Sequence, residues 1–170
     1  MGEISVSFAV LLIKGIPEGL LATLALHIFT RSKIELKKYF FLSAIYIIST
    51  YFVRFLPIRI GVNTVLSLFI LILSFQFAYK RQLSKIISSV VSAFITMVLI
   101  AVSEILNVWL LTILYGKDKA EELFMSSVGI TKAVSMIPSI IFLALFILIG
   151  YFIIYKGAKI IGKDSGQNRR

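Results

Sequence analysis

Residues 62–79 read VNTVLSLFILILSFQFAY, eighteen positions without a formal charge. A hydrocarbon core asks for about 20 apolar residues in a helix, because a backbone surrounded by lipid must satisfy its own amide and carbonyl groups. A soluble element would interrupt such a run with polar residues at a period of two or 3.6, so this one is predicted to span a bilayer. The rest of the chain agrees. Of its 170 residues, 59% are hydrophobic, and the mean hydropathy is +0.98, which leaves too little polar surface to cover a water-soluble globule.

Working outward, the sequence predicts five spans at about 4–29, 39–56, 61–79, 86–107 and 134–155. The expected fold class is an all-α integral membrane protein, a five-transmembrane-helix bundle over 1–156 with a basic cytoplasmic tail over 157–170. The first run lacks a basic leader and a small-residue cleavage site, so it is expected to remain as a span. Between spans two and three lies RFLPIRIGVNT, Arg54 to Thr64. Pro57 has no amide donor and disfavours helix at Leu56, while Gly61 relieves the backbone, so a tight interhelical turn is expected. The fourth apolar run continues to Tyr115, 30 residues in all. As a helix it measures about 45 Å against a core of about 30 Å, so it must tilt, break or run past the bilayer.

Orientation follows from the excess of Lys and Arg in cytoplasmic segments. With the N-terminus outside, the inner segments hold twelve such residues, among them Arg31, Lys33, Lys80 and Lys163, and the outer ones five. The expected topology is N-out and C-in, and it accounts for most of the net charge of +10. The basic residues are divided among short loops, which argues against nucleic-acid binding. The partners expected are the lipid bilayer and a protein in the membrane or at its cytoplasmic face; the sequence leaves a homodimer open.

Two polar groupings stand out. Plotted at 100° per residue, Ser92, Thr96, Ser103, Glu104 and Asn107 share one line of the fourth helix with Ala93 and Ile100, while Val91, Phe94, Val98, Val102 and Trp109 lie opposite. The small polar face suits contact with other helices and the opposite face suits lipid. On the first helix, Lys14 and Glu18 are four residues apart with Pro17 between them. Packing alone accounts for both groupings, yet ionisable groups at membrane depth are functional candidates by default. The two sets are therefore expected to share a polar ligand site on neighbouring helices, with Arg54 and Arg59 of the outer hinge as candidate counter-charges for Glu104. His27 is expected at the inner membrane interface. The segment KDKAEELF, 117–124, is expected to form a short helix at the outer headgroup boundary.

The order of these features resembles the membrane-embedded sensor segments of clostridial-type GHKL sensor histidine kinases. The resemblance rests on Arg54, Leu56, Pro57, Ile58, Gly61 and Thr64 in the hinge, on Ser103, Glu104, Ile105 and Leu106, on EELFMSS, and on Ile137, Pro138 and Ser139 opening the last helix. It implies a sensor module. No phosphoacceptor histidine or ATP-binding domain follows in the sequence, so a stand-alone sensor acting through a partner is expected, and autokinase activity is not.

Enzymatic chemistry finds no foothold. There is no cysteine and one histidine, no HExxH, no intramembrane aspartate pair and no phosphate-binding glycine loop. No metal or cofactor is expected. The alternative to a sensor is a small transport module, such as the substrate-binding subunit of a multicomponent importer.

Overall fold

The computed structural model describes residues 8–53, 60–79, 86–126 and 128–167, with side chains described over 8–53, 65–79, 86–126 and 128–155. Every regular element among them is helical: α1 (Phe8–Val10), a π turn (Leu11–Gly15), α2 (Ile16–Phe29), α3 (Leu36–Val53), α4 (Ile60–Tyr79), α5 (Ile86–Tyr115), α6 (Lys117–Met125), α7 (Gly129–Ser135) and α8 (Ile137–Gln167). Among the described residues, three stretches are long and apolar enough to cross a membrane: Phe8–Phe29, Ile86–Tyr115 and Gly129–Tyr155. The helix α3 is interrupted by Lys37 and Lys38 in its first turn, and the described apolar part of α4 is the shorter Val65–Tyr79.

The first rod, α1 to α2, is the hub, since α2 packs on α3, α5 and α8, while α4 bridges α3 and α5. Its sequence explains why. Gly19, Ala22 and Ala25 recur every third residue and are fully or nearly fully buried. Small side chains let neighbouring backbones approach closely. On one side Ala22 and Leu26 join Leu42, Tyr46, Leu68, Leu71, Phe75 and Ala93 in a core drawn from α2 to α5. Facing α8, Ala25 and Ile28 meet Leu143 and Ile147.

Pro17 shapes the rod locally. In a regular helix its ring would strike the carbonyl of Ile13 and it could give that carbonyl no hydrogen bond. The chain instead widens over Leu11–Gly15, where the Ile16 amide donates to the Leu11 carbonyl five residues back. The rod ends at Arg31, which takes a left-handed φ of 51°. The Ser32 amide reaches the His27 carbonyl at 3.0 Å and the Arg31 amide reaches Ile28 at 3.1 Å, the paired closure in which glycine usually takes the left-handed position.

The fourth run is one unbroken helix, α5, to Tyr115. The fifth is not: a turn at Met136 separates α7 from α8, and Ile137-Pro138-Ser139 opens α8. Proline is well placed in a first helical turn, where its missing donor goes unneeded. The α8 backbone stays helical to Gln167, so it runs on beyond the predicted end of the last span near 155. The segment 117–124 lies within α6. Gly61 falls in the first turn of α4, not in the turn before it, whereas Arg54, Pro57 and Arg59 lie outside the described residues.

The tight fit of Gly19 against α3 is a testable constraint. A Cβ on Gly19 would sit 2.3 Å from Ile47 Cγ1 and 3.1 Å from its Cδ1. Gly19→Ala is therefore expected to destabilise the bundle by about 1–3 kcal/mol through overpacking. Adding Ile47→Ala should restore most of the loss, as read by thermal unfolding in detergent.

Candidate functional site

The widened turn and the start of α2 place Lys14 and Glu18 on the side of the rod that faces α5. Lys14 is buried. Its ammonium donates to Glu104 Oε1 on α5 and stands 3.7 Å from Glu18 Oε2. The three groups differ in access: the Glu18 side chain is 15% exposed and that of Glu104 is 49% exposed. Lys14 thus ties its own helix to α5 through one carboxylate while keeping a second within reach.

The α5 face carrying Glu104 is the one the bundle buries, with Ser89, Ser92, Ala93, Thr96, Ser103, Asn107 and Leu111 all inside. The sequence-derived site is only partly assembled on it. Ser103 and Glu104 border, with Glu18 and Ser139, a space of about 10 Å³. A second space of about 10 Å³ lies on the other side of Glu18, beside Thr50 and Tyr46. Each is at the lower limit for a single water. Among the described residues, the spaces beside Glu18 are tight and the charges are in direct contact.

Ser92 and Thr96 do not converge on the charges. Thr96 lies eight residues before Glu104, about 12 Å along the helix. Its hydroxyl donates to the Ser92 carbonyl at 2.8 Å, Ser92 donates to Ser88 at 2.7 Å and Ser103 to Leu99 at 2.7 Å. Each donor is spent on its own helix, the usual recourse of a hydroxyl in an apolar helix. Asn107 departs toward α7, where its side-chain amide donates to the Ser135 carbonyl at 2.9 Å. Its own Oδ1 is buried with no hydrogen-bond partner among the described residues.

Glu104 is held by Lys14; whether Arg54 or Arg59 also approach it falls outside the described residues. His27, expected at the membrane interface, is fully buried. Its Nδ1 lies 2.7 Å from the Thr23 carbonyl, and because a carbonyl only accepts, Nδ1 carries the proton. In the neutral ring Nε2 then accepts from the Tyr79 hydroxyl at 2.9 Å. Phe75 and Tyr39 close edge-on around it, and the Lys38 ammonium sits 4.9 Å over the Tyr79 ring. Thr23, four residues before His27, was visible in the sequence as one half of this arrangement; Tyr79, 52 residues away, was not.

No protein family, curated protein or solved structure matches the chain.

If Lys14 depends on both carboxylates, removing them will not be additive. Glu18→Ala with Glu104→Ala strands a buried ammonium and is expected to lose about 1–3 kcal/mol beyond the sum of the single losses. Adding Lys14→Met should recover most of it, since replacing a whole buried ionic group by an apolar one is often near neutral. Unfolding curves of the four variants in detergent measure this, and additive singles would show that Lys14 is indifferent to one of the pair.

Proposed function

We propose that the chain is a five-span, N-out and C-in protein of the cell membrane that serves as a stand-alone sensor and acts through a protein partner. The observation that carries this reading is Lys14, shared between a carboxylate on its own helix and one on α5. Two competing carboxylates give the ammonium two alternative homes. A cue that neutralises or captures the half-exposed Glu104 releases Lys14 to Glu18 and uncouples the first rod from α5. Because α8 packs on both α2 and α5, a change in their relation reaches the helix that leads to the basic tail.

The resemblance to the sensor segments of GHKL kinases, carried by Ser103-Glu104-Ile105-Leu106 and Ile137-Pro138-Ser139, points the same way. The space beside Glu18 and Glu104, about 10 Å³, is far below the roughly 300–1,000 Å³ of a small-molecule pocket, so that space gives no support to an importer that holds its substrate at these charges. The partner discriminates directly. Pull-down from native membranes in mild detergent is expected to bring down a kinase-like protein; an ATP-binding-cassette complex would establish the importer instead.

Topology is tested on the natural cysteine-free background. Single cysteines at Lys33, Lys80 and Lys163 should label only after permeabilisation, and one at Lys119 in intact cells; labelling at 163 from outside overturns the orientation.

Signalling is tested with Glu104→Gln. At wild-type protein level, this variant removes the Glu104 charge that holds Lys14, so it should stay in the uncoupled state and show a transcriptional profile that departs from wild type. A wild-type profile would return Glu104 to packing.

A further inference from the structure

Away from the charges, a groove of about 720 Å³ lies between the last two turns of α5, α6, α7 and the first turn of α8. Its walls change character along their length. Leu110 and Leu114 of α5 and Ile130 and Val134 of α7 form an apolar part, and Lys119 and Glu122 of α6 stand at a charged end. Leu114, Ile130 and Val134 are exposed, so no element among the described residues covers that part. Neither Lys119 nor Glu122 is drawn into an ion pair among the described residues, although they are three positions apart on one helix.

The change of character coincides with a boundary in the chain. The 30 residues of α5 include a single charge, Glu104, whereas α6, beginning right after Gly116, opens Lys-Asp-Lys-Ala-Glu-Glu. An apolar helix that gives way to an amphipathic one marks the passage from acyl chains to headgroups. The groove straddles that passage. An occupant that fits must be apolar over most of its length and carry both signs of charge at one end, and its volume lies within the range of pockets that enclose small molecules.

We infer that the groove is a binding site for one zwitterionic phospholipid of the surrounding bilayer. One acyl chain lies along Leu114, Ile130 and Val134, the phosphate meets Lys119 and the headgroup ammonium meets Glu122. An anionic lipid would set its unpaired charge against Glu122, and a diacylglycerol would leave both charges unanswered. The site rests on the bilayer reading and not on the signalling one, so a failed Glu104→Gln test leaves it standing.

The test is native mass spectrometry of the full chain released from nanodiscs of phosphatidylethanolamine, phosphatidylglycerol or a phosphatidylcholine–diacylglycerol mixture. One phosphatidylethanolamine per chain is expected to survive release, with phosphatidylglycerol and diacylglycerol retained at least fivefold less. Lys119→Ala with Glu122→Ala should cut that occupancy at least tenfold, with an unchanged circular dichroism spectrum and elution volume. Val134→Trp, which fills the groove from an exposed position, should abolish it without touching the charges. Equal retention of the three lipids, or wild-type retention by either variant, would reduce the bound molecule to ordinary annular lipid and overturn the site. Disulfide crosslinking of Ile130→Cys between two chains would assign the groove to a second copy, and overturn it likewise.

Discussion

An ammonium group buried among apolar helices has to find carboxylates, and the rest of the bundle is arranged so that Lys14 does. Its position on the first rod is set by Pro17, which forbids a regular turn and widens the backbone just before it. Its partner Glu104 comes from the helix that packs on α2, and that packing depends on Gly19, Ala22 and Ala25 presenting almost no side-chain bulk. Had the hub been built of leucine, α3, α5 and α8 would stand too far out. The glycine and alanine spacing is thus as much a part of the ionic contact as the charges are.

The charges and the hub also explain how access is graded. Lys14 and Glu18 are enclosed, while Glu104 keeps about half of its side chain open. Glu104 is thus tied to the interior on one side and reachable from outside on the other. The buried His27 cluster near Arg31 does the opposite work. Its imidazole is closed in by three aromatic rings and both ring nitrogens are engaged, which fixes α2, α3 and α4 at that end.

Much of this was legible in the sequence wherever the signal was local. The helical character of the chain, the inward face of α5, the helix at 117–124 and the Lys14–Glu18 neighbourhood all follow from composition and period. The pairing of Lys14 with Glu104 could be suspected, since two intramembrane ions seek each other, but its tightness could not: the size of the space between helices depends on how side chains such as Ile100 and Leu143 fill it. The enclosure of His27 within the bundle was hidden for a similar reason. A histidine near a helix end looks amphipathic, and only the fold brings Tyr79 to it. The break at Met136 was legible through Pro138, whereas the separation of α7 as its own helix was not.

The serine and threonine hydroxyls of α5 carry a mechanical consequence. Ser92, Thr96 and Ser103 all donate back to their own helix, so the contact surface they form is smooth and donates nothing across to the first rod. Two helices meeting along such a surface share no hydroxyl bridge from Ser92, Thr96 or Ser103, which leaves the Lys14–Glu104 contact as a polar tie between the first rod and α5.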